Sequence, residues 1–225
     1  ETDTLDATGY VTETREVNVT RDALERAIEG RRGEQDQVPP MYSALKQQGE
    51  RLYRLAREGE IVERAARRIR IDRLELLQFE SPRFTVSIAC SKGTYVRSLI
   101  ADLGADVGAG AHLTALRRTR SGRFSIAQAV TLADVEAGTC DLTAALVAPR
   151  VAVELPEVVV RGDQITTIKN GVQVPVERMG VGEHERFQLV DDAGRMLAIC
   201  HAEDGKVFYD RVLADLLAQS LLDNS

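Results

Sequence analysis

The chain has 225 residues, of which 44% are hydrophobic, and its formal net charge at pH 7 is −6. This length allows one large domain or two small ones, and no apolar run reaches the length of a membrane-spanning helix. The acidic balance gives no overall attraction to nucleic acid. The widely spaced cysteines Cys90, Cys140 and Cys200 fit a reducing cytoplasm better than a disulfide framework.

The N-terminal part of the chain predicts one strand, one helix and a rigid connection. Alternating apolar residues predict a strand over Tyr10–Val19. Thr20 is a good N-cap for a short helix that ends at Gly30. The polar stretch Gly33–Gln37 is typical of a loop, and Val38–Tyr42 is expected to be rigid and extended because it contains two consecutive prolines.

Two arginine-rich elements are predicted next. A helix over Glu50–Glu58 would bury its leucines and direct Arg51, Arg54 and Arg57 to solvent. In the strand predicted over Arg67–Phe79, isoleucines alternate with charged residues. The alternation predicts that this strand has one buried face and one basic face.

The stretch Arg83–Val107 predicts a strand, a turn and a helix in succession. Period-two alternation predicts a strand on whose buried face Cys90 would be a small core residue. Turn residues follow, Thr94 is a candidate N-cap, and glycines from Gly104 onwards would end the helix. The helix has an apolar stripe formed by Val96, Leu99, Ile100, Leu103 and Val107.

Arg97 stands in the first turn of this helix, where the helix dipole favours anions rather than cations. The position indicates either an ordinary solvated arginine or a guanidinium that pairs with a carboxylate or phosphate. The residues alone leave both interpretations open.

A basic cluster follows the apolar segment His112–Leu116. Its members are Arg117, Arg118, Arg120 and Arg123. Such a run is either a solvated face or, together with the arginines of the Glu50–Glu58 helix, the lining of a groove that binds phosphates. A helix over Val130–Val147 is expected to close the first domain, which predicts residues 1–147 as one domain.

The remainder of the chain changes character after the linker Ala148–Arg150, which predicts a second, mostly β domain over residues 151–225. A short helix is expected before Asn170, and Asp191–Gly194 is a hairpin signal between two apolar segments. A second turn is expected at Glu203–Gly205, and the amphipathic tail Asp210–Leu222 predicts a final helix.

Motifs for other chemistries are missing from the sequence. There is no Walker loop, Rossmann fingerprint or nucleophile elbow, and no serine, cysteine and histidine set suggests a catalytic triad. His112, His184 and His201 are isolated from one another, so we expect no bound metal. The residues alone therefore indicate a two-domain protein with a basic groove, for which RNA binding is one interpretation.

Three segments resemble the TruB family of bacterial tRNA pseudouridine-55 synthases in content, order and spacing. They are Gln37–Lys46, Cys90–Arg97 and Gly110–Arg118. Thr2–Thr4 resembles the family's Thr-Asp-Thr segment, and the C-terminal part is similar to its small PUA-like RNA-binding domain. The resemblance covers essentially the whole chain.

One part of the family pattern is not found. The family's catalytic Asp lies in a Gly-rich motif with a Pro directly after it, upstream of the Thr-Asp-Thr segment. Asp6 is followed by Ala7 and lies too close to Gln37, so we assign it to the later segment. Because the chain begins at Glu1 without a Met, we expect a fragment that lacks the nucleophile and is inactive alone.

The resemblance implies roles for individual residues. Arg97 would be catalytic by pairing with the nucleophilic carboxylate, Tyr95 would be catalytic and touch the flipped uracil, and Leu116 would pack beside that base. The residues expected to contact the RNA are Lys92, Arg117, Arg118, Arg120, Arg51 and Arg54. No cofactor and no metal is implied.

The implied fold is α+β, with a mixed, mainly antiparallel sheet flanked by helices (the pseudouridine synthase fold) and a small β-rich PUA-like domain. The implied activity is isomerisation of uridine to pseudouridine in the T loop of tRNA, at position 55, by base flipping. The protein would be a cytoplasmic monomer whose partner is the T-arm stem-loop, without a membrane. The alternative is a non-catalytic RNA-binding or RNA-folding module, while the Glu50–Glu58 helix and the short C-terminal domain argue against the related guide-RNA-dependent family.

Overall fold

The computed structural model describes residues 1–43, 45–47, 50–51, 54, 62–182 and 185–213. Contacts divide the chain into two compact units, the first being Glu1–Thr119 and the second beginning at Arg120. Residues 120–147 are thus grouped with the second unit, and the functional division at residue 147 stays a prediction. None of the helices in the described residues is both long and apolar enough to cross a membrane.

The first unit is a three-stranded antiparallel sheet with two helices packed on one face. Its elements are α1 (Arg21–Gly30), β1 (Gly33–Gln37), β2 (Lys46–Gln47), β3 (Glu50–Arg51), β4 (Arg67–Glu80), β5 (Arg83–Cys90) and α2 (Val96–Asp106). The strand order of the main sheet is β1-β4-β5, and β2 pairs with β3 separately.

The core of this unit forms because α1, α2 and β4 each direct an apolar stripe to the same interior. Its buried members are Leu24, Ile28, Ile69, Ile71, Leu74, Leu99, Ile100 and Leu103. Leu99 and Leu103, both 0% exposed, belong to the helical stripe predicted for α2, which is confirmed. The packing holds the first turn of α2 at one end of the sheet.

The second unit contains a four-stranded sheet with its own core. Its elements are β6 (Arg120–Ser121), β7 (Phe124–Ser125), α3 (Leu132–Glu136), α4 (Leu142–Ala145), α5 (Pro149–Ala152), β8 (Glu157–Val159), α6 (Asp163–Lys169), β9 (Arg186–Val190), β10 (Met196–Glu203) and β11 (Lys206–Val212), with 3₁₀ turns at Ile126–Gln128 and Val176–Arg178. The strand order is β11-β10-β9-β8, and only the β8–β9 pair among the described strands is parallel. The predicted α+β class is confirmed.

Several element predictions hold. The Thr20 side chain accepts a hydrogen bond from the Ala23 amide at 3.3 Å and caps α1 as expected. Both predicted hairpin turns are present, and Asp204 and Gly205 have φ values of 49° and 69°, the conformation of a two-residue turn between twisted strands.

Other element predictions are wrong. Tyr10–Val19 is not a strand. No strand among the described residues pairs with it, and it makes only one isolated bridge, from Val11 to Thr2. Gly33–Gln37 is the edge strand β1 rather than a loop. The helix over Val130–Val147 is two short helices, α3 and α4, interrupted at Gly138, where φ is +65°.

The predicted Glu50–Glu58 helix begins instead with β3, and most of its remaining residues lie outside the described part of the chain. The tail helix predicted from Asp210 is wrong at its start because β11 continues to Val212, and residues 214–225 also lie outside that part. α2 begins after Tyr95 rather than Thr94 and continues past Gly104.

Cys90 is exposed, contrary to the core role that its phase predicted. A β-bulge in β4 between Ile71 and Arg73 shifts the pairing at the end of β5, so the alternation of buried and exposed residues is interrupted there. Cys200 of β10 is the buried thiol, and its burial raises the pKa to about 12. Cys200 is therefore a small core residue and an unreactive thiol.

The hairpin turn between β9 and β10 depends on the buried carboxylate of Asp191. Its Oδ1 accepts from the Arg195 amide at 2.8 Å and its Oδ2 from Arg195 Nε at 2.7 Å. Burial opposes ionisation of Asp191, but the Arg195 amide, the Arg195 guanidinium and the Ala193 amide outweigh it, so the pKa is lowered.

We expect Asp191→Asn to lower the free energy of unfolding by about 1–2 kcal/mol at pH 7. A lowered folded-state pKa stabilises the fold above the unfolded value of about 4, and this contribution is lost as pH falls through the folded value. Urea unfolding at pH 7 and pH 3 should show the difference between variant and wild type shrinking in acid. Asp192→Asn is the control, since Asp192 pairs with Arg161 in solvent, and an equal effect of both variants would contradict the prediction.

Candidate active site

The turn between β5 and α2 delivers the predicted site residues to the end of the sheet. Ser91 continues the β4 pairing, because its amide donates to Arg70 O at 2.8 Å and its Oγ accepts from the Arg70 amide at 2.9 Å. Gly93 then takes a φ of +85°, which only a residue without a Cβ adopts easily. Tyr95 follows as the N-cap of α2, and Arg97 lies in the first turn.

The Arg97 guanidinium joins two segments that are distant in sequence. Its Nη1 donates to Thr4 O at 3.1 Å, and its Nη2 donates to Tyr42 O at 2.7 Å. Within the described ranges, no carboxylate lies within 4.0 Å of Arg97, so its pairing with an acid stays a prediction. Arg97 is half-buried and held in place, which rules out the solvated interpretation of its position.

The carboxylates of Asp3 and Asp6 accept hydrogen bonds from amides in or next to the turn Thr2–Gly9. Asp6 Oδ1 accepts from the Thr8 amide at 3.2 Å, and Asp3 Oδ1 accepts from the Tyr10 amide at 2.8 Å. Thr2, 5% exposed, donates from Oγ1 to Asp6 O at 2.8 Å and accepts from the Asp6 amide at 3.0 Å. These acids stabilise the turn that presents Thr4 O to Arg97, which agrees with Asp6 not being the partner of Arg97.

The segment Gln37–Ser43, which we term the strap, lies along the first turn of α2. The Gln37 side chain accepts from the Tyr95 amide at 2.8 Å and donates to Tyr95 O at 3.1 Å. Ser98 Oγ donates to Val38 O at 3.3 Å, and Arg97 binds the strap at Tyr42 O. Sequence reasoning missed Gln37 and Ser98 as site residues, although Gln37 opens one of the family-like segments.

The segment before Leu116 is also attached to the Thr2–Gly9 turn. The Leu113 amide donates to Leu5 O at 3.1 Å, and the Ala7 amide donates to Leu113 O at 2.8 Å. Leu116 is 58% exposed, so it is a surface residue and not part of the core. A base-contacting role requires such exposure and stays a prediction.

The basic residues predicted to contact RNA are distributed over both units. Lys92, Arg117 and Arg118 are exposed in the first unit and make no ion pair within the described part of the chain. Arg54 is exposed, and the side chain of Arg51 lies outside that part. Arg120 belongs to the second unit, where its Nε donates to Gly122 O at 2.8 Å.

The outer face of β4 is not basic, contrary to the prediction. Arg68 pairs with Glu34 of β1 at 3.0 Å, and Arg70 pairs with Asp72 at 2.7 Å. Arg73 approaches Glu75 at 3.9 Å. Glu34 of the neighbouring strand β1, which was predicted as a loop, and the acids Asp72 and Glu75 of β4 itself neutralise this face, so it offers phosphates little net attraction.

The interactions that this site can offer a substrate are hydrogen bonds and apolar contacts. Across the described residues, no three His, Cys, Asp or Glu side chains are grouped so that they could hold a metal ion. What the first unit brings together is the Thr2–Gly9 turn, the strap and the α2 N-terminus, joined through Arg97 and Gln37. Such an arrangement can hold a guanidinium and an aromatic ring rigidly beside a substrate.

Family models and known relatives match the chain. The model of "TruB family pseudouridylate synthase (N terminal domain)" matches residues 1–96, and that of "tRNA pseudouridylate synthase B C-terminal domain" matches residues 97–148. The tRNA pseudouridine synthase B of Azoarcus sp. is 40% identical over 220 residues, which cover 97% of this chain and 72% of the relative.

The tRNA pseudouridine synthase B of Pseudomonas paraeruginosa is 57% identical over 135 residues, which cover 60% of this chain and 44% of the relative. The chain therefore spans less than half the length of this relative. A solved Cbf5-Nop10-Gar1 complex contains a chain that matches with a TM-score of 0.65 and 23% identity, over 90% of this chain and 65% of that one. This structural likeness shows the fold.

Proposed function

Because the chain belongs to the TruB family of pseudouridylate synthases, we propose that it forms part of an enzyme that isomerises uridine to pseudouridine in the T loop of tRNA, at position 55. The observation that supports this most directly is Arg97, held by two main-chain carbonyls next to Tyr95. We propose residues 1–147 as the catalytic domain and residues 151–225 as a PUA-like RNA-binding domain. The latter range contains the whole β8–β11 sheet with its core.

The reaction moves ribose C1′ from N1 to C5 of the same uracil. The C1′–N1 bond breaks, a C1′–C5 bond forms, the C5 proton leaves and N1 gains a proton, so atoms balance without redox change or hydrolysis. A carboxylate acts as nucleophile or base in this exchange. We assign that carboxylate to a residue that is not among the 225 of this chain, and Arg97 would pair with it.

The substrate uridine must leave its stack before it can react. Extrusion costs roughly a few kcal/mol, which contacts to the flipped base must offset. Tyr95 would contact the extruded uracil, and the exposed Leu116 would pack beside it. Lys92, Arg117, Arg118, Arg120, Arg51 and Arg54 would contact the RNA backbone, so affinity should fall as salt rises.

We propose a monomer that acts on tRNA in the cytoplasm. The test uses a T-arm stem-loop RNA with tritium at C5 of the target uridine. We expect the chain to bind this RNA and the complete gene product that carries the sequence to release tritium. Binding without release in the complete gene product would instead support the non-catalytic RNA-binding module, and activity of the present chain alone would refute the assignment of the nucleophile.

A further inference from the structure

We infer that Gln37 is a positioning residue that sets the orientation of Tyr95 and Arg97 toward the substrate uridine, an inference that rests on the proposed function. The side chain of Gln37 is 4% exposed and forms two hydrogen bonds to one residue, Tyr95. No role for this glutamine follows from the chemistry of the reaction itself. Its role follows from its two hydrogen bonds to the backbone of Tyr95.

The N-terminus of α2 lacks the usual local cap. Tyr95 occupies the N-cap position with φ −99° and ψ 106°, and its side chain makes no capping hydrogen bond. An uncapped helix end leaves backbone amides without acceptors. The Gln37 carboxamide supplies the acceptor for the Tyr95 amide from 58 residues away in sequence.

The two hydrogen bonds fix the backbone on both sides of the same Cα atom. Gln37 Oε1 holds the amide that precedes Cα of Tyr95, and Gln37 Nε2 holds the carbonyl that follows it. Both backbone dihedral angles of Tyr95 are therefore restrained, and with them the direction of its Cα–Cβ bond. Arg97 lies two residues later in the first helical turn and is oriented by the same restraint.

Gln37 is itself attached to the sheet. It is the last residue of β1 and is paired with Arg67 of β4. The Gln37 carboxamide thus connects the sheet to the helix end that carries Tyr95 and fixes their relative position. A side chain of the same length without polar atoms would keep the packing and lose this connection.

The test uses Gln37→Met in the complete gene product, together with amide hydrogen exchange of the chain measured by NMR. We expect the Tyr95 amide to exchange about tenfold faster or more, because it loses its acceptor. We expect kcat for the T-arm RNA to fall about tenfold with little change in KM, because base contact is misaligned after the RNA has bound. Gln37→Glu keeps an acceptor for the Tyr95 amide but loses the donor to Tyr95 O, so we expect it to keep the Tyr95 amide protected and to restore kcat only in part.

Gln188→Met is the matched control. Gln188 is 1% exposed and donates to Arg150 O and Leu155 O, both at 2.9 Å, so it loses two similar hydrogen bonds in the second unit. It should reduce stability and leave kcat at saturating RNA unchanged. An unchanged kcat in Gln37→Met, or an equal loss in Gln188→Met, would overturn the inference.

Failure of the proposed function gives a different result. A complete gene product that releases no tritium from T-arm RNA overturns the inference as stated. In that case the Tyr95 amide should still exchange faster in Gln37→Met. This result would show that the proposed reaction is wrong while the contact between Gln37 and Tyr95 exists.

Discussion

Replacing Arg97 by Ala is expected to reduce turnover of T-arm RNA in the complete gene product by at least about 100-fold, with little change in RNA affinity. The guanidinium would no longer be available to pair with the nucleophilic carboxylate, while the residues proposed to contact RNA remain. The two hydrogen bonds to Thr4 O and Tyr42 O are lost as well. Hydrogen bonds from charged donors contribute about 1.5–3 kcal/mol each, so unfolding should become easier by about 3 kcal/mol.

Turnover measured by tritium release and affinity measured by filter binding separate the two effects. Arg97→Lys is an informative second variant, since one ammonium group cannot span both carbonyls with the planar geometry of a guanidinium. Arg26→Ala removes the same charge from an exposed position on α1 and should leave both quantities unchanged. A parallel fall in affinity and turnover for Arg97→Ala would show that Arg97 binds RNA instead.

A methyl group at Gly104 is expected to destabilise the first unit although alanine favours helices. A Cβ at this position of α2 would lie 2.3 Å from the Ala111 nitrogen and 2.4 Å from the Gly110 carbonyl carbon. Both are backbone atoms, so the segment leading to Leu116 must shift. Overpacking typically costs about 1–3 kcal/mol and exceeds the gain of roughly 1 kcal/mol in helix propensity, so we expect Gly104→Ala to lower the unfolding free energy by about 2 kcal/mol.

Gly30→Ala provides the comparison because a Cβ there meets nothing within 4 Å. It should be neutral or stabilise the fold by up to about 1 kcal/mol. Thermal and urea unfolding of both variants measure the contrast. Equal stability of the two variants would mean that the approach of Gly110 and Ala111 to α2 is looser than the structure shows.

The sequence predicted the parts of the fold that carry a strong period. The strand β4 and the helix α2 have regular apolar spacing, and Ile69, Ile71, Leu99 and Leu103 are buried as expected, whereas the apolar residues of β5 are at most half-buried. β1 has no such pattern, because it is an edge strand with one buried residue, Gln37, and pairing with β4 alone makes it a strand. Tyr10–Val19 shows the opposite case, in which alternation occurs without a partner.

The candidate site was predictable in its location and not in its contacts. The unusual helix position of Arg97 left a solvated and a paired arginine both open, and the structure provides two main-chain oxygens as its partners. These come from residues 93 and 55 positions away in sequence, and no local pattern encodes such a pairing. Gln37 was missed for the same reason, since a glutamine at the end of a polar stretch carries no sign that a helix end will dock on it.

The acceptors that hold Arg97 belong to the main chain, and every amino acid brings an identical carbonyl. A substitution at residue 4 or 42 therefore keeps these two acceptors, provided that the local backbone path persists. The guanidinium has no such latitude, because no other side chain reproduces its fork. The junction therefore depends on the side chain of one residue and only on the main chain of the other two.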